Sequence, residues 1–190
     1  GIRYFDAARS YGKGELFLGN WIRHKNIPVK DFTVGSKWGY EYTADWKIEA
    51  EHHEIKEHSE RMFRKQYAES LENLGKYLKV YQIHSATEES GVLDNKDVLT
   101  ALWETKQSGL SIGLSLSGER QVYTLEKVLN IKFDGILLFD TVQVTWNILE
   151  NSTTELLKEA KTLGMGIIVK EAMANGRLGE RNMDADFSYK

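Results

Sequence analysis

Apolar residues follow two rhythms along this chain. Short apolar runs alternate with longer stretches whose apolar positions recur at helical spacing. Ile2, Tyr4 and Phe5 predict a short strand that ends at Asp6. Further strands are predicted at Phe32–Trp38, Leu78–His84, Leu110–Ser117, within Asp134–Trp146, and at Met165–Lys170. Helices are predicted over Gly14–Lys25, Glu51–Leu74, Asp97–Gln107, Arg120–Leu129 and Thr153–Leu163. Gly75, Gly109 and Gly164 stand where these helices should stop, and Ser152 or Thr153 is placed to cap the last one. Pro28, the only proline, falls in a link. Gly39–Ala50 reads as a long loop carrying Tyr40, Tyr42 and Trp46, and the polar tail from Ala174 reads as loop.

Strands that alternate with helices imply βα units and a parallel sheet. About six such units can be counted, and no linker divides them, so residues 1–190 are expected to form one domain. A doubly wound sheet could use six strands, but no Gly-x-Gly-x-x-Gly follows the first one. The pattern favours a (β/α)8 TIM-barrel type, present as an incomplete barrel, since a full one has eight strands and about 250 residues.

Composition narrows the partners. A hydrophobic content of 41% is enough for a sizeable core. A net charge of −3 and the lack of a Lys/Arg block argue against nucleic acid. No apolar run reaches the roughly 18 residues of a membrane span. With no cysteine, disulfides, thiolate metal sites and thiol nucleophiles are excluded. That fits the cytoplasm, as does the lack of a signal peptide.

The candidate chemistry stands at predicted strand ends. Asp6, Lys37 and His84 close three strands, and Tyr11 follows Asp6 in a loop kept open by Gly12 and Gly14. A barrel delivers the C-terminal ends of its strands to one mouth, so these four are expected to meet there. A free tyrosine, near pKa 10, is a poor proton donor at neutral pH. A lysine ammonium nearby should lower that value, with the aspartate holding the lysine charged.

The chain here resembles the aldo-keto reductases. GIRYFDAARSYGKGE is similar to that family's Asp–Tyr strand, VGSKW to its lysine strand and VYQIH to its histidine strand. IGLS, VQV and GMGIIVKEAMANGRL follow in the family's order. The resemblance covers Gly1 to about Leu178. It implies that a small aldehyde or ketone is reduced by hydride from NADPH. Tyr11 would give the proton, Lys37 and Asp6 would tune it, and His84 would orient the carbonyl. Ser115 and Gln143 match the family's nicotinamide carboxamide ligands, and Asn175, Gly176 and Arg177 match its pyrophosphate loop. Leu116 stands where an asparagine is expected, and Lys170 where many members stack an aromatic ring on the nicotinamide. A cation there can contact phosphate or the ring. The family's first strand would precede Gly1, and its last strand and 2′-phosphate grip would follow Lys190. NADH therefore stays open as cofactor, and two open barrel edges are an opportunity for self-association.

Other residues divide between binding and structure. Trp38, Tyr40 and Trp146 are candidates for a substrate pocket at the mouth, with Tyr42 and Trp46 beside them. His53–Glu57 and Glu54–His58 have the spacing of a helical metal pair, as part of a histidine group with His52, but a charged solvated face explains them better. Asp140 reads as structural. Two other functions are set against reduction: a non-catalytic cofactor-binding or interaction protein on the same fold, and a metal-dependent barrel hydrolase.

Overall fold

A computed structural model describes residues 1–43 and 53–179. In chain order, β1 (Tyr4–Asp6), α1 (Gly14–His24) and β2 (Thr33–Trp38) come first. β3 (Tyr40–Tyr42), β4 (Glu54–Lys56), α2 (Glu60–Leu74) and β5 (Leu78–Ala86) follow. Next are α3 (Lys96–Gln107), β6 (Ser111–Leu116), α4 (Gln121–Val128), β7 (Lys132–Phe133) and β8 (Ile136–Leu137). β9 (Thr141–Thr145), α5 (Thr154–Thr162) and β10 (Gly166–Lys170) complete the series.

The main sheet has six strands in the order β1-β2-β5-β6-β9-β10, all parallel. Spatial order equals chain order. Each βα unit adds its strand to the same edge, so the sheet curls in one direction as part of a barrel. A doubly wound sheet would reverse its strand order partway.

Strand side chains alternate between two faces. On the convex face Val34, Trp38, Tyr81, Ile83, Ile112 and Leu114 are fully buried against Ile22, Phe63, Leu74, Leu102 and Leu125. This is the apolar core, where removing a leucine side chain costs about 2–5 kcal/mol. The concave face instead carries Asp6, Gly35, Lys37, Gln82, Ser115 and Gln143. Gly35 is glycine for lack of room: a Cβ there would lie 2.2 Å from the Tyr4 hydroxyl. Leu116 is buried on the convex side, one residue beyond the inward-facing Ser115.

Three expectations need correction. The long helix begins at Glu60, not Glu51, because Ser59 caps it and its Oγ accepts the Met62 amide at 3.1 Å. Residues 54–56 are instead a strand that pairs with Tyr40–Tyr42 in an antiparallel hairpin, within what reads from sequence as loop. Ile55, flanked by charges, is 53% exposed and has no apolar partner one helical turn on. Second, the strand predicted within Asp134–Trp146 occupies only the end of that span. Asp134 and Gly135, at φ 50° and 79°, turn the chain between β7 and β8, as Asp-Gly favours. The barrel strand is only Thr141–Thr145. Third, Thr153 is the N-cap of α5 but its hydroxyl makes no capping bond. Trp46 and His52 lie outside the described residues.

Candidate active site

Asp6 and Lys37 occupy the inner face at the C-terminal ends of β1 and β2: Asp6 pairs with Gly35, and Lys37 lies two residues further along β2 on the same face. Lys37 is 1% exposed, and its Nζ donates to Asp6 Oδ2 at 2.5 Å and to the Ala7 carbonyl at 2.8 Å. Gln143 Nε2 reaches the same Asp6 oxygen at 2.9 Å, from 137 residues away. Gln82 Nε2 and the Tyr4 hydroxyl donate to Asp6 Oδ1, each at 3.2 Å. The carboxylate is thus the hub of the concave face.

The loop after β1 carries Tyr11 over this hub. It is anchored through Arg9, whose guanidinium bridges Glu15 and Glu69, each at 2.7 Å. Glu15 is fully buried and also accepts the Ser36 and Ser70 hydroxyls at 2.6 Å. With the loop fixed, Lys37 Nζ lies 5.1 Å from the Tyr11 ring centroid. The His84 ring meets Tyr11 edge-on at 5.7 Å, and Ser10 Oγ is 3.4 Å from His84 Nδ1. Tyr40 closes the other side of His84 at 5.0 Å.

Electrostatics keep these groups in defined states. Burial, reinforced by the Lys37 charge, pushes His84 down to about 3, so the imidazole is neutral at pH 7. Burial lowers Lys37 and Asp6 opposes that shift. Tyr11 is raised, not lowered as the lysine suggested. Burial is the main cause, followed by the charges of Asp6 and Glu54. The ammonium faces the ring, and its charge is matched by Asp6. The phenol is therefore protonated, and a weaker acid than a free tyrosine.

The proposed cofactor ligands fall in two places. Ser115 and Gln143 are buried beside the hub: Ser115 Oγ accepts the Ser85 amide at 2.8 Å. Lys170, Asn175 and Arg177 line a cavity of about 250 Å³ beyond the ends of β6, β9 and β10. Glu119, Glu150 and Glu171 line it too. Gly176, at φ 87°, lies in the turn between Asn175 and Arg177.

Of the substrate candidates, only Tyr40 joins the cluster. Trp38 is fully buried on the convex side, 5.1 Å from Phe63, because alternation sends it opposite to Lys37. Trp146 donates to Thr154 Oγ1 at 3.0 Å and lines an outer groove with Leu157, Ile167 and Val169. His53–Glu57 and Glu54–His58 lose their helical spacing with β4, and no group that could hold a metal ion occurs among the described residues. Asp140 takes the Ile112 amide at 2.9 Å and Lys106 at 2.5 Å, as a structural residue does. Sequence reasoning missed Tyr4 and Gln82, although each stands two residues before a predicted site residue on its strand and so shares its face. Ser10 carried no sequence signal, and His58 was weighed only for the spacing of a metal pair.

A one-way βα sheet with a polar cluster at its C-terminal rim defines a barrel protein with its site where such folds place their chemistry. The chain belongs to the aldo/keto reductase family, whose model matches residues 1–188. A Pseudomonas aeruginosa protein described as an aldo-keto reductase is 25% identical, with a TM-score of 0.71 over 93% of this chain and 63% of its own. The holo form of an aldo-keto reductase from Bacillus halodurans is 20% identical, with a TM-score of 0.77 over 100% of this chain and 59% of its own. A glycerol dehydrogenase from Gluconobacter oxydans is 22% identical, with a TM-score of 0.73 over 99% and 55%. The chain thus spans about three-fifths of the length of these structures. No curated protein matches the sequence. No helix among the described residues is long and apolar enough to cross a membrane.

Proposed function

We propose that this chain carries the chemical centre of an NADPH-dependent reductase acting on a small aldehyde or ketone. The observation that supports this most is the packing of the Tyr11 ring against Lys37 and His84, with Lys37 anchored on Asp6.

The residues present fit a nicotinamide carboxamide. Ser115 Oγ accepts the Ser85 amide, which leaves its hydroxyl hydrogen to donate to the amide oxygen. Gln143 Nε2 is committed to Asp6, which leaves its carbonyl oxygen for the amide N–H. Lys170 and Arg177 supply positive charge for the phosphates. When bound, the cofactor supplies a hydride to the carbonyl carbon.

The chain's own residues handle the oxygen. In this reading the Ser10 hydroxyl, 3.4 Å from His84 Nδ1, donates to it, and the proton of the neutral ring on Nε2 holds the substrate oxygen in place. Tyr11 gives its phenolic proton to that oxygen as negative charge develops there. The phenolate that remains is stabilised by Lys37, which Asp6 keeps charged and oriented. Solvent returns the proton to Tyr11, which is half exposed at the mouth. Tyr40 forms an apolar wall beside His84. The cysteine-free composition supports a cytoplasmic location. β1 and β10 each have one unpaired side among the described residues, and association through these edges belongs to the same reading.

The test is oxidation of NADPH, and in parallel NADH, over a panel of aldehydes and ketones. Turnover that falls in Tyr11→Phe supports the reading, and turnover indifferent to that change refutes it. Cofactor binding with no carbonyl reduced would leave the non-catalytic alternative.

A further inference from the structure

We propose that His58 is a positioning residue for His84, acting on a β-bulge that aims the imidazole at Tyr11. The proposal rests on the reductase reading only in what it says about turnover. Its geometry stands apart from it.

β5 and β6 run in register to Ile83 and Leu114, and the next pair is Ala86 with Leu116. Three steps on β5 thus answer two on β6, so one extra residue is inserted at His84–Ser85. Ser85 sits at φ 53°, in the left-handed region, where a non-glycine residue needs support from its surroundings. A bulge of this kind redirects a side chain and leaves peptide groups without ladder partners.

Here each of those groups is taken up by a side chain. The His84 carbonyl accepts from His58 Nε2 at 2.9 Å. The Ser85 amide donates to Ser115 Oγ at 2.8 Å, and the Ser85 carbonyl accepts from Lys56 Nζ at 2.6 Å. The three clamps come from separate elements, so the bulge is held from β4, from the start of α2 and from β6.

His58 is itself held in a made-to-measure seat. A Cβ at Gly39 would lie 2.3 Å from its ring, so only glycine leaves room, and Gly39 adopts φ 113°. The Trp38 ring meets it edge-on at 5.7 Å. A carbonyl acceptor requires the proton on Nε2, which leaves Nδ1 as an acceptor, and that atom is buried with no partner among the described residues. An orphaned buried nitrogen is a liability for a purely structural residue. A carboxamide of the right length could make the same bond.

The experiment compares wild type, His58→Leu and His58→Gln as full chains by NMR and by kinetics. The nuclear Overhauser contact between the His84 and Tyr11 rings should be present in wild type, lost in His58→Leu and regained in His58→Gln. With NADPH and the carbonyl of the panel that wild type reduces fastest, His58→Leu should lower kcat on the order of 10-fold at constant KM, and His58→Gln should recover most of it. Should His58→Leu fail to fold, Lys56→Met frees the adjacent carbonyl and should weaken the same contact. A ring contact unchanged in whichever of these two variants folds would overturn the proposal. A wild-type chain that turns over no carbonyl would refute the reductase reading, while the NMR comparison would still decide the role of His58.

Discussion

The two halves of the concave mouth are built differently. Around β1, β2 and β5 the polar groups hold one another: Asp6 takes Lys37, Gln82, Gln143 and Tyr4, and Arg9 locks the Tyr11 loop onto Glu15 and Glu69. Around β6, β9 and β10 a cavity of about 250 Å³ carries Lys170 and Arg177 among three carboxylates. The first half is preorganised from within. In the second, charges of both signs line the cavity, with Lys170 3.8 Å from Glu171. On the proposed reading, the proton-transfer groups owe their placement to the chain, and the cavity is where a cofactor's phosphates would bind.

The largest expected effect separates chemistry from scaffold. Tyr11→Phe removes the proposed proton donor, worth about 10²- to 10⁴-fold in turnover, and should leave the thermal midpoint unchanged. A matching fall in the midpoint would show that the loop needs the hydroxyl. Next comes the hub. Asp6→Ala strands the buried Lys37 charge and should cost about 3–5 kcal/mol in a urea titration. A cost under about 1 kcal/mol would mean that the first half is less interlocked than its hydrogen bonds imply.

Acid gives a smaller effect. Burial holds His84 at about 3 and His58 at about 4, both below the free value near 6.5. Between pH 6.5 and 4 the unfolded chain binds more protons than the folded one, so stability falls as pH drops through that window. The slope should reach up to about 1.4 kcal/mol per pH unit for each imidazole. His84→Gln should flatten it, as measured by denaturation at each pH. The smallest effect belongs to the cavity. Lys170→Met should weaken NADPH binding roughly 5- to 10-fold by fluorescence titration, equivalent to about 1 kcal/mol, with no change in stability. If stability also fell, the second half would be as self-supporting as the first.

Much of the first half was legible in the sequence. Strand ends fixed Asp6, Lys37 and His84, and the short loop fixed Tyr11, because a parallel barrel gathers such ends. Trp38 was misplaced although the period of two already sends it opposite to Lys37. The start of α2 was hidden because Glu, Lys and His suit a helix surface and a solvated hairpin equally well, and only the Ser59 cap decides. The placement of Ser10 and His58 beside His84 was hidden for another reason. Their partners are a side chain and a backbone carbonyl brought near by the curl of the sheet, and no local pattern encodes that. Lys170 and Arg177 line one cavity, and their company of carboxylates depends on three separate loops.

The hydrogen bond from Gln143 to Asp6 has a consequence for how the chain acquires its shape. Every ladder in the main sheet joins strands consecutive in that sheet, so each can zip as soon as its unit is made. Only a contact such as Asp6–Gln143 links the first strand to the fifth, across 137 residues. Closing so long a loop is entropically costly and must wait until the intervening units are in place. That bond should form late in folding, and the arc should acquire its curvature only then. A spectroscopic label on Gln143 would report when the sheet stops growing and begins to close.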